Sequence, residues 1–198
     1  MRFRACLIAV TMILAFAATS NAILIININE VGSDVVATGS GTLDLTGLSY
    51  DYATSPPSIG GVAGTLGNFW AFPDLSADLD IYAGFTGPSS FGSGLGATAD
   101  SATGSFGFGI LSTTDEIAVE SDYVFGAPLD FTATYLSETL ASLGLTIGTY
   151  EWTWAGDSIQ MNIDYDPPQA PVPEPATMLL LGGGLAGLAG IRRRANKA

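Results

Sequence analysis

The stretch that decides the fold is residues 148–163, GTYEWTWAGDSIQMNI. Apolar side chains alternate with polar ones on both sides of a turn at residues 155–158, and this pattern predicts a β-hairpin. Folding about that turn puts six apolar side chains on one face, in the pairs Trp154–Ile159, Trp152–Met161 and Tyr150–Ile163. Two interpretations of Trp152 and Trp154 follow, a sugar-binding stack or core packing. We favour the core because all six residues share the face.

The rest of residues 23–172 has the composition of a β domain. It holds 20 of the 25 glycines, and clusters of Gly, Ser and Pro separate its short apolar runs. This pattern predicts a mainly β fold, an antiparallel β-sandwich with a jelly-roll-like arrangement as one version. Strands are expected at residues 23–31, 78–82, 105–111, 117–124 and 129–136, with a strand, turn and strand within residues 35–45.

One segment has helical spacing. Leu136, Leu140 and Leu143 recur at i, i+4 and i+7. Ser137 can cap the start of such a helix, and Gly144 can end it. The spacing predicts a single short helix over residues 137–143.

The basic residues are confined to the two ends of the chain. Residues 23–172 contain 18 carboxylates and no Lys, Arg or His. Because no cation there can pair with a phosphate, nucleic acids and nucleotides are excluded as partners of this region. For the same reason each carboxylate must be solvated, hydrogen-bonded or neutralised by a bound cation.

The residue types that most often perform catalysis are missing from residues 23–172. The chain has no His, which excludes Ser-His-Asp triads and His-ligated zinc. The single cysteine, Cys6, lies before this region, so it contains neither a disulfide nor a thiol nucleophile. Only carboxylate chemistry, such as that of a glycosidase pair, is left. We therefore predict that the protein is not an enzyme and has no organic cofactor.

Calcium is the one candidate cofactor. Asp74, Asp78 and Asp80 lie within seven residues of one another, and a second acidic group comprises Asp115, Glu116, Glu120 and Asp122. Calcium binds six to eight oxygen ligands, and unpaired carboxylates favour its uptake. Neither group matches an EF-hand loop or a nonapeptide repeat. The three aspartates are candidate calcium ligands, and diffuse counterion binding is the alternative.

Residues 1–22 have the organisation of a secretory signal peptide. Arg2 and Arg4 precede an uncharged apolar run at residues 5–18, which is short for a membrane span. The sequence SNA follows, with small residues at the two positions that signal peptidase inspects. Cleavage after Ala22 and export are expected, and the alternative is an uncleaved N-terminal anchor.

The composition changes after residue 165. Residues 166–172, DPPQAPV, form a Pro-rich linker. After Pro173-Glu174-Pro175 comes an uncharged run at residues 176–191, about 24 Å long as a helix. The run predicts a short transmembrane helix.

A cluster of Arg192, Arg193 and Arg194 follows that run. Positive charge stays on the cytoplasmic side of a membrane, so this end is predicted to be a cytoplasmic anchor with the β domain outside. A plain tail anchor would explain the helix and the arginines. It would not explain Pro-Glu-Pro immediately before so short and glycine-rich a run.

In combination, VPEPAT at residues 172–177, the Leu/Gly/Ala-rich run and the terminal arginines resemble the PEP-CTERM sorting signal of Gram-negative bacteria. The resemblance covers roughly residues 172–196. It implies recognition by an exosortase, cleavage near the sorting motif Pro173, Glu174 and Pro175, and association with extracellular polysaccharide and biofilm. The hairpin also resembles a segment that often precedes this tag, a likeness that implies no activity.

These observations predict an exported, non-enzymatic protein with a secreted domain at residues 23–165 and a sorting signal at residues 173–198. It would pass through the inner membrane to the cell surface or extracellular matrix. The alternative is an adhesin-like module that binds carbohydrate or a surface, with or without calcium, through aromatic residues such as Phe69 and Trp70. A carboxylate-based hydrolase is the third hypothesis.

Overall fold

The computed structural model describes residues 23–164, which form two β-sheets and one turn of 3₁₀ helix. The strands are β1 (Ile23–Val31), β2 (Asp34–Thr42), β3 (Ser49–Thr54), β4 (Gly60–Ala63), β5 (Asn68–Ala71), β6 (Leu79–Ala83), β7 (Ala97–Thr98), β8 (Ser101–Gly104), β9 (Phe108–Leu111), β10 (Glu116–Glu120), β11 (Pro128–Tyr135), β12 (Gly148–Thr153) and β13 (Ser158–Ile163). The 3₁₀ turn is Gly64–Leu66. The prediction of a mainly β fold is confirmed.

The first sheet has six strands in the order β12-β13-β1-β2-β11-β8. Its neighbours are antiparallel except β1 and β13, which are parallel. The expectation of a wholly antiparallel domain is wrong at this pair. The two strands come from opposite ends of the described chain, so no hairpin forces them to be antiparallel. Parallel register places three fully buried pairs opposite one another: Leu24 and Ile159, Ile26 and Met161, Ile28 and Ile163.

The second sheet has seven strands in the order β3-β6-β10-β9-β5-β4-β7, and every neighbouring pair is antiparallel. One core joins the two sheets. Phe131 on β11 of the first sheet stacks on Phe108 of the second at 5.8 Å between ring centroids, with the rings 3° from parallel. Phe69 on β5 contacts the same Phe131 ring at 5.7 Å. The inward faces of both sheets therefore bury each other, as sheets with one apolar face must.

Strand β2 runs unbroken from Asp34 to Thr42, where a glycine-containing turn was predicted within residues 35–45. The reason is packing at Gly39, whose missing side chain leaves room for the Phe131 ring. An added Cβ there would lie 2.2 Å from Cζ of Phe131. The glycine marks close approach of an aromatic ring within a strand, and so the prediction of two strands in residues 35–45 is wrong.

The hairpin of β12 and β13 forms as predicted but in a different register. Trp152 pairs with Ile159 and Tyr150 with Met161, which is two residues away from the predicted pairing. The connection is formed by residues 154–157, and the N–H of Trp154 donates to the carbonyl of Asp157 at 3.1 Å. Trp154 therefore leaves the strand.

The helix predicted at residues 137–143 is reduced to a single turn, closed by the bond from the Leu143 N–H to the Thr139 carbonyl at 3.0 Å. Leu140 and Leu143 are buried, but Leu136 is 54% exposed. Ser137 has a φ of +56°, outside the extended conformation that an N-cap needs. Gly144 ends the turn at φ +64°, as expected.

The chain divides into two units between Tyr165 and Asp166, and the described residues all belong to the first. Within residues 23–164 no helix is long and apolar enough to cross a membrane. The predicted signal peptide with its cleavage site at Ala22, the linker at residues 166–172 and the helix at residues 176–191 lie outside the described residues.

Candidate binding cleft

The outer face of the seven-stranded sheet carries a concave, largely apolar surface. Hydrogen-bonded register aligns one residue from each of five strands, β5, β9, β10, β6 and β3, in a single row: Trp70, Gly109, Ala118, Ile81 and Tyr52. Trp70 and Tyr52 stand at the two ends of the row, the small residues Gly109 and Ala118 follow Trp70, and Ile81 lies next to Tyr52. A cleft of about 350 Å³ results. We call it the Trp70 cleft, defined by Tyr52, Asn68, Trp70, Gly109, Glu116 and Ala118.

A second apolar cluster supports the floor of the Trp70 cleft. It comprises Phe72, Leu79, Ile81 and Ala118, each no more than 3% exposed, and Trp70 and Leu111 pack against it. Phe72 can lie on the sheet because β9 is preceded and interrupted by glycines. A Cβ at Gly107 would lie 2.5 Å from the Phe72 ring, and one at Gly109 would lie 3.2 Å from it. Burial on an outer face makes this part of the sheet rigid.

Trp70 is held from two sides. Its Nε1–H donates to Oγ of Ser58 at 2.9 Å. Its ring also covers the backbone of Gly61 on the neighbouring strand, where an added Cβ would lie 2.2 Å from Cζ2. The indole is therefore fixed before any ligand arrives.

Two polar side chains line the Trp70 cleft in a second row, Asn68 on β5 and Glu116 on β10, with Leu111 between them. Asn68 is only 8% exposed. Its Oδ1 accepts no hydrogen bond from any described residue. Such an acceptor is costly to leave unpaired in a folded protein, and native structures contain few of them.

Glu116 accepts a hydrogen bond from Oγ1 of Thr114 at 2.7 Å. Burial and the nearby carboxylates of Glu116 and Asp51 raise the pKa of Tyr52, so its hydroxyl stays protonated at neutral pH. The rim of the Trp70 cleft thus offers one phenol and one carboxylate, and residues 23–172 contain no basic side chain.

The aromatic residues proposed as a sugar stack belong to the core, as the favoured interpretation held. Trp152 is fully buried, and its Nε1–H donates to Oγ of Ser112 at 2.9 Å. Trp154 is partly buried and donates to the carbonyl of Asp44 at 2.9 Å. Phe69 was predicted to lie outside the core as a binding residue. That prediction is wrong, because Phe69 is fully buried against Phe131. Of the aromatic residues proposed for binding, Trp70 alone lines the cleft.

The acidic groups do not assemble a metal centre. Within residues 23–164 no three Asp or Glu side chains come together in a way that could hold a metal ion. Asp74 instead accepts from the N–H and hydroxyl of Ser76, at 2.8 and 2.7 Å, and these bonds lower its pKa. The geometry therefore gives the candidate ligands Asp74, Asp78 and Asp80 no support as a calcium site.

Backbone N–H groups replace the missing cations as partners of many carboxylates. The acceptors, each with the residue that donates, are Glu30 (Leu140), Asp34 (Ser137), Asp44 (Thr46), Asp74 (Ser76), Asp100 (Leu136), Glu120 (Gly107) and Asp157 (Asp44 and Ser158). Three of them hold the segment from residue 136 to residue 140 in its turns, where a helix was predicted. Hydrogen bonding, one of the three fates expected for these groups, is thus confirmed for this set.

Two of these carboxylates are buried, Glu120 and Asp157, both 8% exposed. Burial raises the pKa of each, although the N–H groups that they accept from oppose the shift. Glu120 accepts from Gly107 at 2.7 Å, and Asp157 accepts from Asp44 at 2.8 Å across 113 residues of sequence. Asp157 therefore links two segments that are distant in sequence, whereas Glu120 links the end of β10 to the residue before β9.

Sequence reasoning missed Asn68 and Tyr52 and assigned Glu116 to an acidic group. Asn68 sits in the segment GNFWAF, where its polarity looks like that of a turn residue. The one available signal was parity, because Asn68 and Trp70 alternate and so share a face.

No match to the chain was found among curated proteins or among solved structures. A family model for the PEP-CTERM protein-sorting motif matches residues 171–194. The chain carries a PEP-CTERM sorting motif. The suspected resemblance is confirmed, and the PEP-CTERM motif implies an exosortase as processing partner and export to the surface or beyond, through the membrane. Its predicted working residues, Pro173, Glu174 and Pro175 with Arg192, Arg193 and Arg194, lie inside the matched segment and outside the described residues.

Proposed function

We propose that this protein is a non-enzymatic component of the cell surface or extracellular matrix, delivered by exosortase and associated with exopolysaccharide. A signal peptide is removed after Ala22, and the helix predicted from the sequence at residues 176–191 holds the chain in the inner membrane with Arg192–Arg194 inside. Cleavage at Pro173-Glu174-Pro175 then frees a folded β domain. The observation that supports this proposal is that the PEP-CTERM motif at residues 171–194 follows, in sequence, a domain with its own two-sheet core.

The chemistry of the domain supports a role without catalysis. Residues 23–172 lack His, Cys, Lys and Arg. Several of the carboxylates that remain are occupied by backbone N–H groups, as Asp157 is by Asp44 and Ser158. A general acid and base must reach a substrate, and these groups are committed to structure.

A blot of the full chain tests the sorting proposal, in cells that contain the exosortase and in cells that lack it. Pro173→Ala, Glu174→Ala and Pro175→Ala combined should leave a larger, membrane-bound species that the wild type shows only without exosortase. Pro167→Ala with Pro168→Ala in the linker is the matched control and should mature normally. Normal maturation of the triple variant would refute the assignment of the cleavage motif.

A second candidate function is a carbohydrate-binding module. The Trp70 cleft favours it, because a fixed indole and an unpaired buried acceptor occur together there. Exosortase delivery is compatible with both candidates, since it describes how the protein reaches the surface.

A further inference from the structure

We propose that the Trp70 cleft binds an uncharged saccharide, with Trp70 and Tyr52 as aromatic walls and Asn68 and Glu116 as hydrogen-bond acceptors. The inference deepens the second candidate function, and it rests on the proposed function only in placing the domain next to exopolysaccharide. Its evidence is the shape, the polarity and the charge of the cleft.

The shape comes from the order of residue sizes along one row of the sheet. Gly109 and Ala118 form a low floor between Trp70 and the pair Ile81 and Tyr52. The volume, about 350 Å³, lies in the range of sites for small molecules, roughly 300–1,000 Å³. A pyranose presents an apolar C–H face with hydroxyl groups around its edge, and such a ring fits between aromatic walls above this floor.

The polar groups specify a ligand that donates hydrogen bonds. Oδ1 of Asn68 has no partner among residues 23–164 and is itself shielded from solvent, so the amide rotates about χ2 to present it to a ligand. The carboxylate of Glu116 can only accept. The strands that carry the two side chains are separated by one strand, so they lie about 10 Å apart at two inter-strand spacings. Two acceptors at that separation match hydroxyl groups on a pair of linked sugar rings.

The charge selects among saccharides. Glu116 lines the cleft, Asp51 lies beside Tyr52, and residues 23–172 contain 18 carboxylates and no basic side chain. Uronic acids, sulfated sugars and phosphorylated sugars are therefore repelled. Neutral hexoses and N-acetylated hexosamines carry hydroxyl donors without negative charge, and they are the class that this site accepts.

The test measures binding of the detergent-solubilised full chain to neutral oligosaccharides built from glucose, galactose or N-acetylglucosamine. Polygalacturonate is the acidic comparison, and a peptide library is the comparison of another class. We expect saturable binding to at least one neutral series and none to polygalacturonate. Failure to bind any neutral series, or equal binding to polygalacturonate or peptides, would overturn the inference.

Tyr50 and Tyr52 lie on the same strand, β3, and provide a matched pair of variants. Tyr52 lines the cleft, whereas Tyr50 is 56% exposed, lies outside the cleft lining and packs edge-on against Tyr82. Tyr52→Ala and Trp70→Ala should each weaken binding about tenfold or more, the loss that 1.4 kcal/mol produces, and Tyr50→Ala should not. Equal affinities for all three variants would refute the site. A chain that is processed normally but binds no glycan would defeat this inference and leave the sorting proposal standing.

Discussion

The outer faces of the two sheets differ in the polarity of the side chains that they present. On the six-stranded sheet one row crosses all six strands with polar residues only: Thr149, Asn162, Asn27, Thr38, Thr132 and Thr103. Within it Asn162 donates to Oδ1 of Asn27 and accepts from Oγ1 of Thr149, both at 3.0 Å. On the seven-stranded sheet the corresponding row is apolar and concave, and the buried amide of Asn68 beside it has an unpaired oxygen.

This difference separates a buried amide that is hydrogen-bonded within its sheet from one whose oxygen has no partner among residues 23–164. Asn162 and Asn68 are similarly buried, at 4% and 8% exposed. Asn162 is satisfied within the sheet, whereas Oδ1 of Asn68 has no partner in the described part of the chain. Burial alone would not distinguish the two residues, but their hydrogen bonds do.

The largest effect is expected in the core that both faces share. Trp152→Ala removes a fully buried indole that packs edge-on against Phe91 and hydrogen-bonds Ser112. Thermal unfolding followed by circular dichroism should show a loss of about 3–5 kcal/mol, the usual cost of truncating a buried aromatic residue. Trp152→Phe should cost less. A loss below about 1 kcal/mol for Trp152→Ala would contradict the packing of this hairpin.

The next largest effect is expected from a substitution in the polar row of the six-stranded sheet. Asn162→Leu keeps the number and branching of side-chain heavy atoms but removes the partner of Asn27, Thr149 and Gln160. We expect destabilisation of roughly 1–3 kcal/mol, because the groups left behind lose bonds in a partly buried place. Chemical denaturation measures it, with the exposed Thr103→Val in the same row as the control. Unchanged stability of Asn162→Leu would show that the hydrogen bonds of this row do not stabilise the fold.

The same substitution on the other face should have the opposite sign. Asn68→Leu removes an acceptor that is buried without a partner, so stability should rise by about 1 kcal/mol. That corresponds to an increase of about 2–4 °C in the melting temperature for a domain of this size. Destabilisation by Asn68→Leu would mean that the amide is satisfied in the free protein.

The smallest expected effect is a pH dependence of stability that comes from Glu120, a buried carboxylate on β10 of the seven-stranded sheet. Burial raises the pKa of Glu120 in the folded state, so folding favours its protonated form. That contribution is complete below the unfolded pKa and is lost as pH rises through the folded pKa. Glu120→Gln should therefore be more stable than the wild type at neutral pH. Its gain in stability should be smaller than that of Asn68→Leu. The difference should close as the pH falls, and exposed Asp122→Asn serves as the control. A difference that widens on acidification would contradict the raised pKa.

The sequence predicted what is local. Alternation identified the strands around residues 79, 108 and 131, and the sorting motif is a continuous segment that the family model also finds. The hairpin pairing was wrong because Asp157, taken as an ordinary turn residue, binds the N–H of Asp44 and so moves the turn. The turn predicted near Gly39 failed for a similar reason, since the Phe131 ring that explains this glycine comes 92 residues later.

The Trp70 cleft could not be predicted, because it exists only after five strands pair in a non-sequential order. Trp70 and Tyr52 become the two ends of one row through β9, β10 and β6. No spacing in the chain encodes that row. The unpaired oxygen of Asn68 likewise appears only when the possible donors around it are known.

One measurement tests the central claim that the two outer faces differ in function. Binding of a neutral oligosaccharide is titrated against the wild type, Asn68→Leu and Asn162→Leu, each as the full chain at a temperature where all three are folded. We predict that Asn68→Leu, although more stable, loses affinity about tenfold or more, the loss expected for 1.4 kcal/mol, while Asn162→Leu, although less stable, binds like the wild type. Equal binding by all three proteins, or a loss confined to Asn162→Leu, would contradict the claim.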